Sequence, residues 1–243
     1  MPTFANRVST FGTTIFSEIN VLATQHSAVN LGQGRPDFDG PRSVIQASVE
    51  ALLDGKHNQY PPGNGTLDFR KAVANHAAKF YGMDIDPERG VLATAGATEA
   101  VFSSILGLVD PGDEVIVIEP YFDSYVPNLI MAGAKPVFVP LHPPEWTLDP
   151  DELRKAFTPK TRAILWNSPQ NPTGRVFTVE EMTLVADLCK EHDVIVISDE
   201  VYEHLVFGES RHVPIASLPG MFERTVTVSS LGKSYSVTGW KLG

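Results

Sequence analysis

The chain has 243 residues, of which 42% are hydrophobic and 20% are charged, the balance of an ordinary soluble globular protein. Its 19 Lys and Arg against 29 Asp and Glu give a formal net charge of −10, which argues against nucleic acid or an anionic membrane as the main partner. The single cysteine, Cys189, excludes an intramolecular disulfide, and no apolar run approaches the roughly 18 residues that a transmembrane helix needs. Together with an N-terminus that lacks a signal-peptide apolar stretch, these features predict a cytoplasmic protein.

The predicted secondary structure changes character at residue 91. The first sixty residues are irregular apart from a helical pattern over 43–53, and a second helix is predicted over 67–81. Asp149 is placed to cap one of the later helices, and Thr178 with Glu181 forms a candidate capping box for another. Beyond residue 91, short apolar runs predict strands over 91–94, 115–118, 137–140, 163–166, 194–198 and 226–229, and amphipathic stretches predict helices over 98–109, 124–132, 150–156 and 178–192.

Two of these strands, 115–118 and 194–197, consist only of Val and Ile. Continuous β-branched runs are typical of strands buried on both faces, as in a parallel sheet covered by helices on both sides. The repeated strand–helix order therefore predicts an α/β fold with a mostly parallel sheet. Ligands of such folds bind beyond the carboxyl ends of the strands, so the residues that follow each strand are the candidate site.

Three of the predicted strand ends carry residues suited to a planar, phosphorylated ligand. Gly96, Ala97 and Thr98 open a helix where free N–H groups favour a phosphate, although a tight turn needs small residues as well. Phe122 follows the next strand and can stack on a planar ligand, although aromatic residues more often pack in a core. Asn171 lies in a turn with two X–Pro bonds, and its Asn–Pro bond can adopt the cis form.

Charged residues follow the last two predicted strands. Asp199 comes after a fully buried strand, where a carboxylate is costly unless it is paired, so a functional carboxylate is favoured over a helix cap. Lys233 lies in a Gly-Lys-Ser run, but residue 227 is Thr rather than the Gly that a nucleoside-triphosphate loop requires. No spacing of His or Cys is typical of a zinc site, so no metal is predicted.

One cofactor, pyridoxal 5′-phosphate (PLP), needs all of these groups: donors for its phosphate, an aromatic side chain for its ring, an acid for its pyridine nitrogen and a Lys for its aldehyde. Four motifs also occur in order, NLGQGRPDF at 30–38, NPTG at 171–174, SDEVYE at 198–203 and SLGK at 230–233. With them the sequence resembles the class I/II aminotransferases, which are fold-type I PLP enzymes. Within these it is most similar to the kynurenine aminotransferase, glutamine transaminase K and methionine aminotransferase group.

The resemblance implies a role for each matching residue. Lys233 would form the Schiff base and then carry a proton between the substrate α-carbon and the cofactor. Asp199 would keep the pyridine nitrogen protonated, while Asn171 and Tyr202 would bind the ring oxygen. Phe122 would stack on the ring.

The remaining implied contacts involve the phosphate, the substrate and a second subunit. Tyr60 would reach the phosphate of the neighbouring subunit, which implies a homodimer with shared sites. Gly34, Phe16 and Asn171 would contact the substrate. The phosphate would be bound by Gly96, Ala97, Thr98, Ser230 and Lys241.

The implied reaction is a ping-pong transamination of an L-amino acid with a 2-oxo acid, and the resemblance favours an aromatic, sulfur-containing or glutamine-type amino donor. Three alternatives stay open: a PLP-dependent β-lyase acting on cysteine S-conjugates, an N-succinyldiaminopimelate aminotransferase, and an inactive PLP-binding fragment or scaffold. Arg35 stands where relatives often have Phe, and it either favours an acidic substrate side chain or points to solvent.

The resemblance also implies the domain organisation. Residues 1–45 would form an N-terminal arm and part of the small-domain or substrate region, and residues 46–243 an incomplete PLP-binding large domain. Chains of the family continue with the rest of the sheet and a C-terminal small domain that supplies the Arg for the substrate carboxylate. With that domain expected to be absent, this chain alone is expected to be unstable and inactive in transamination.

Overall fold

The computed structural model describes residues 4–9, 11–34 and 36–243. Its strands are β1 (Glu114–Glu119), β2 (Lys135–His142), β3 (Thr147–Leu148), β4 (Thr161–Asn167), β5 (Ile195–Asp199) and β6 (Thr225–Val228). Its α-helices are α1 (Ile15–Gln25), α2 (Arg42–Leu53), α3 (Leu67–Tyr81), α4 (Gly96–Leu108), α5 (Tyr125–Ala132), α6 (Pro150–Ala156), α7 (Val179–Glu191) and α8 (Leu231–Ser234).

The six strands form one sheet in the order β3-β2-β1-β4-β5-β6. Neighbouring strands run parallel except for the antiparallel pair β2–β3. The α/β fold with a mostly parallel sheet is therefore confirmed. The direction of strand addition reverses between β1 and β4, and such a switch point leaves a crevice at the carboxyl ends of the strands.

Helices cover both faces of this sheet. Successive side chains of a strand point to opposite faces, so the apolar residues of each strand divide between two cores. One core joins Ile116, Ile164 and Val196 to helices α6 and α7. The other joins Val117 and Leu165 to helices α4 and α5. Burial on both faces explains the continuous β-branched runs in the sequence.

Helix ends follow the predicted caps. The Thr178 hydroxyl accepts a hydrogen bond from the Glu181 N–H, and the Glu181 carboxylate accepts one from the Thr178 N–H, which completes the capping box of α7. The Asp149 carboxylate accepts from the N–H groups of Asp151 and Glu152 at the start of α6. Both caps are confirmed.

Two predictions of secondary structure are wrong. Residues 91–94 are not a strand: Thr94 and Gly243 exchange backbone hydrogen bonds of 2.8 and 3.0 Å, a single antiparallel pair. Helix α1 lies in the region predicted to be irregular, and Thr14 caps it by accepting from the Ser17 N–H. The sequence of α1 does carry apolar residues at helical spacing, Ile15, Ile19 and Leu22, although the helix buries none of them. The short elements β3 and α8 were not predicted either.

Within the described residues, none of the helices is both long and apolar enough to span a bilayer. The cytoplasmic location stays a prediction from the cysteine count and the sequence pattern.

The thiol of Cys189 offers a test of the packing around α7. Burial raises the pKa of Cys189 to about 12, and only the thiolate reacts with disulfide reagents. In native buffer, 5,5′-dithiobis(2-nitrobenzoate) is therefore expected to modify Cys189 no faster than the protein unfolds. Cys189→Ser gives the blank. A native rate that grows in proportion to reagent concentration and exceeds the unfolding rate would contradict this burial.

Candidate active site

The carboxyl ends of β4 and β5 hold two polar residues in register. Asn167 ends β4, Asp199 ends β5, and the two are paired across the sheet. Asn167 Nδ2 donates to the Asp199 carbonyl oxygen at 2.8 Å, and Asn167 Oδ1 accepts from the Asn171 N–H at 2.7 Å. The buried Asn167 side chain thereby fixes the loop that carries Asn171 next to Asp199.

The Asp199 carboxyl group is the most strongly perturbed acid of this edge. Its Oδ2 accepts from the Tyr125 hydroxyl at 2.6 Å, and its Oδ1 accepts from the Val201 N–H at 3.3 Å. Burial raises the pKa of Asp199 to about 6 even though both hydrogen bonds act to lower it. A carboxylate offers about four acceptor positions. Asp199 therefore keeps capacity for one further donor.

Lys233 lies on α8, which follows β6, and its Nζ is 5.5 Å from the centre of the Tyr202 ring. Burial lowers the pKa of Lys233, an effect that the charge of Asp199 partly offsets. Burial, reinforced by Asp199, raises the pKa of Tyr202. Asn171 Nδ2 donates to the Tyr202 hydroxyl at 3.5 Å. The structure thus brings together an amine, a phenol, an amide and a buried carboxyl group.

Aromatic rings extend this cluster along the end of β1. The Phe122 ring meets the Tyr125 ring edge-on at 5.8 Å, and Tyr125 in turn bonds to Asp199. On its other side Phe122 lies 6.3 Å from Phe16 of α1. Both phenylalanines are half-buried. Together they form an apolar wall near the carboxyl group.

The start of α4 lies against the last residues of the chain. Gly96 has φ +78°, and a Cβ atom there would lie 3.7 Å from the Cα and Cε atoms of Lys241. A side chain on Gly96 would be strained by its backbone conformation and would touch Lys241. Ala97 is half-buried, Thr98 is exposed, and Ser230 precedes α8 as its N-terminal flanking residue. The structure therefore brings Gly96 and Lys241 together.

Three predicted site residues do not join these contacts. Tyr60 is fully exposed, so nothing in the described part of the chain covers its ring. Gly34 is exposed, and a Cβ atom there would meet no atom within 4 Å. Arg35 lies outside the described residues, and its two interpretations stay open.

Sequence reasoning missed Tyr125 and Asn167. Tyr125 is separated from Asp199 by 74 positions, so no local pattern connects the two residues. Asn167 could have been found from the sequence. It is a polar residue directly after the predicted buried strand 163–166, and the same criterion selected Asp199.

Comparison with known proteins gives consistent matches over nearly the whole chain. The family model for aminotransferase class I and II matches residues 26–243. The probable N-succinyldiaminopimelate aminotransferase DapC of Mycobacterium tuberculosis is 50% identical over 240 residues, which cover 98% of this chain and 60% of that protein. Kynurenine–oxoglutarate transaminase 3 of Mus musculus is 46% identical over 249 residues, which cover 98% of this chain and 55% of that protein.

Solved structures agree with these matches. N-succinyldiaminopimelate aminotransferase from Mycobacterium tuberculosis superimposes with a TM-score of 0.96 at 50% identity, covering 99% of this chain and 63% of that one. YbdL from Escherichia coli, for which a methionine aminotransferase function is identified, gives 0.96 at 38% identity and covers 100% of this chain and 63% of that one. The chain thus spans 55–63% of the length of these proteins. It belongs to the class I and II aminotransferases.

Proposed function

We propose that the protein transfers amino groups between an L-amino acid and a 2-oxo acid by a ping-pong mechanism, with PLP as its cofactor. Its family consists of PLP-dependent enzymes. The observation that carries the proposal is the position of the Lys233 amine and the Tyr202 phenol beside the buried Asp199 carboxyl group.

The residues present fit this cofactor. A protonated pyridine nitrogen is the kind of donor that the remaining acceptor capacity of Asp199 can take, and a cationic donor offsets the cost of a buried carboxylate. Phe122 lies one ring away from that carboxyl group, where it can pack against a planar ligand. The first turn of α4 after Gly96 offers backbone N–H groups to a phosphate, and Lys241 beside Gly96 offers a cation.

When bound, PLP supplies an aldehyde that captures amines and a ring that takes up the electron pair left by proton loss. Lys233 Nζ would hold the cofactor until an amino acid displaces it and would then take the α-proton of that amino acid. Its lowered pKa raises the share of neutral amine, the form that both steps require. Asp199 would hold a proton on the ring nitrogen, because its carboxylate accepts from that N–H.

Two neutral donors complete the proposed arrangement. The Tyr202 hydroxyl and Asn171 Nδ2, 3.5 Å apart, would both donate to the ring oxygen. Two donors aimed at one oxygen stabilise its anionic form. They would therefore favour a negative charge on the ring oxygen, close to the Lys233 amine that releases and recovers a proton.

The test is product analysis with the purified, PLP-loaded full-length protein, an amino donor and a 2-oxo acid. Transamination predicts one new amino acid for every donor molecule consumed. Double-reciprocal plots of initial velocity, measured at several fixed 2-oxo acid concentrations, should give parallel lines. Pyruvate, ammonia and a thiol formed from a cysteine S-conjugate without the acceptor would instead identify a β-lyase. Bound PLP without turnover would identify a scaffold, and either result would overturn the proposal.

For the amino donor we propose an aromatic or sulfur-containing amino acid. The apolar wall of Phe16 and Phe122 supports this choice, because it offers an uncharged surface to the substrate side chain. Kynurenine, phenylalanine, methionine, glutamine and N-succinyl-diaminopimelate should be compared as donors. A preference for N-succinyl-diaminopimelate would replace the apolar donor with an acidic one. If Arg35→Phe then abolished that preference, the recognition of the acidic donor would be attributed to Arg35.

Phe16→Ala is expected to raise the KM for methionine and phenylalanine about tenfold with little change in kcat, because it removes an apolar contact to the substrate side chain. Steady-state kinetics with an apolar and an acidic donor measure the effect. Phe4→Ala is the control, since Phe4 is 85% exposed. An equal rise in KM for both donors would show that Phe16 does not select the side chain.

We further propose a homodimer in which Tyr60 reaches the site of the partner subunit. The full exposure of the Tyr60 ring supports this role, because an aromatic side chain uncovered in its own chain is available to a neighbour. Shared sites predict complementation. Mixing inactive Lys233→Ala with weakly active Tyr60→Ala should restore up to about a quarter of the wild-type activity, since half of a random dimer mixture carries one intact site. Activity that stays at the sum of the two variants would contradict shared sites.

A further inference from the structure

Three potential metal ligands from distant parts of the chain meet beside the active-site edge. His76 lies on α3, whereas Glu203 and His204 lie in the turn after β5. Each offers one ligand atom, and the three atoms lie within 4.8 Å of one another. Nε2 of His76 is 2.7 Å from Nε2 of His204 and 3.9 Å from Oε2 of Glu203. This cluster is called the His-Glu-His site below.

We propose that the His-Glu-His site binds a divalent transition-metal ion, with Zn²⁺ as the best match, through Nε2 of both histidines and Oε2 of Glu203. Two imidazoles and one carboxylate are a ligand set that zinc uses with a fourth position left open. Zinc bonds of about 2.0 Å at tetrahedral angles place ligand atoms about 3.3 Å apart. The separations of 2.7 and 3.9 Å lie on either side of that value, so small side-chain rotations suffice.

Glu203 is held as a ligand carboxylate would be. The Tyr81 hydroxyl donates to its Oε2 at 2.6 Å, and the Ser229 hydroxyl donates to its Oε1 at 2.5 Å. Such outer hydrogen bonds orient metal ligands and tune their affinity. Glu203 is buried, and among the described residues His76 is its partner at ion-pair distance. A bound cation would therefore supply the charge that this carboxylate lacks.

The two histidines can adopt the required protonation. Burial lowers the pKa of His76, so its ring is neutral and carries a lone pair. In the hydrogen bond between the rings, one Nε2 carries the proton. Metal binding needs the lone pairs of both Nε2 atoms, so that proton moves to Nδ1 of the same ring. His204 is exposed, and the cluster lines a cavity of about 380 Å³ that leaves room for water at the fourth position.

The metal would tie α3 to the turn that also carries Tyr202. Its effect is a stabilising crosslink between two elements that already share the Tyr81–Glu203 and His76–His204 hydrogen bonds. The assignment is independent of the transamination proposal, because it concerns metal binding without substrate.

Calorimetric titration of the full-length protein with Zn²⁺, with and without PLP, tests the assignment. One Zn²⁺ is expected per chain. Loss of a partner that only orients a ligand costs about 10- to 100-fold in affinity, so His204→Asn or His76→Asn is expected to cost at least about 100-fold. His142→Asn is the matched control: His142 pairs with Glu152 at 2.8 Å as a two-residue His–Glu contact and should leave the titration unchanged.

Co²⁺ provides a second readout that a general loss of stability would not imitate. Tetrahedral Co²⁺ absorbs in the visible range, and this band should appear with the wild type and vanish in His204→Asn. Tyr81→Phe should keep the band and weaken binding about tenfold. Since His204 is exposed, its variant should keep the metal-free melting temperature, so it decides the question even if His76→Asn fails to fold. Equal Zn²⁺ affinity in His204→Asn and wild type, or binding only at millimolar Zn²⁺, would show a hydrogen-bonded histidine pair and no metal site.

Discussion

Lys233→Ala is expected to lower kcat by at least about 10⁴-fold, because it removes both the amine that holds the cofactor and the base that moves the α-proton. The amine is the group that the fold places beside Asp199 and Tyr202, with a pKa lowered by burial. Transamination assays of the PLP-loaded protein measure the loss. Noncovalent PLP binding should survive, since Asp199 and the residues around Gly96 remain.

Borohydride reduction followed by peptide mapping provides the control for this prediction. In the wild type the reduced cofactor should be found on Lys233 alone. Lys56→Ala, whose side chain is 80% exposed, should keep full labelling and activity. Labelling of a different lysine in the wild type, or of any lysine to the same extent in Lys233→Ala, would disprove the assignment of the reactive amine.

Asp199→Asn is expected to reduce kcat about 10³-fold, because a neutral amide no longer favours a proton on the ring nitrogen. The same variant should make the cofactor-free protein more stable at neutral pH. The folded-state pKa of about 6 lies above the ordinary value of 3.8, so the folded protein holds this proton more tightly than the unfolded chain. The penalty is therefore absent below about pH 4, grows as the pH rises from about 4 to about 6, and levels off at about 3 kcal/mol above pH 6.

Urea unfolding of the cofactor-free wild type and variant across this pH range isolates the effect. The difference in unfolding free energy should be small near pH 4, grow in favour of Asp199→Asn up to about pH 6, and stay constant from there to pH 8. Asp193→Asn, at the other end of β5 and 91% exposed, should show no such trend. A difference that is independent of pH would indicate that Asp199 stays protonated, or that its carboxylate is fully compensated, in the folded protein.

The fold was largely predictable because its central strands, β1, β4 and β5, are buried on both faces. Val115 and Val194 begin runs of β-branched residues that admit few other structures, and Thr178 with Glu181 marks a helix start locally. Residues 91–94 are also apolar and extended, yet their backbone hydrogen bonds to other segments are limited to single contacts with Asn64 and Gly243. Whether an extended segment becomes a strand depends on its partner, and the partner lies far away in the chain.

The same distinction separates the predictable from the unpredictable part of the site. Asp199 and Asn171 follow strands directly, so their positions could be inferred from the fold class. Tyr125 bonds to Asp199 across 74 positions, and His76 meets His204 across 128. The expectation of no metal rested on short sequence spacings of His and Cys. Such spacings cannot detect His76 and His204, which come close together only because α3 packs against the turn after β5.

The contact between Thr94 and Gly243 sets the order in which the protein can mature on the ribosome. Its two hydrogen bonds fix the segment that leads into Gly96, and Gly243 must leave the exit tunnel before they can form. The strands from β1 to β6 are synthesised earlier and can assemble as each one emerges. The proposed phosphate cradle is therefore among the last parts to close, after a long loop in the chain has been brought together. PLP binding would then indicate that synthesis has passed Gly243. Nascent chains that stall before this point would contain the folded sheet but would not bind PLP.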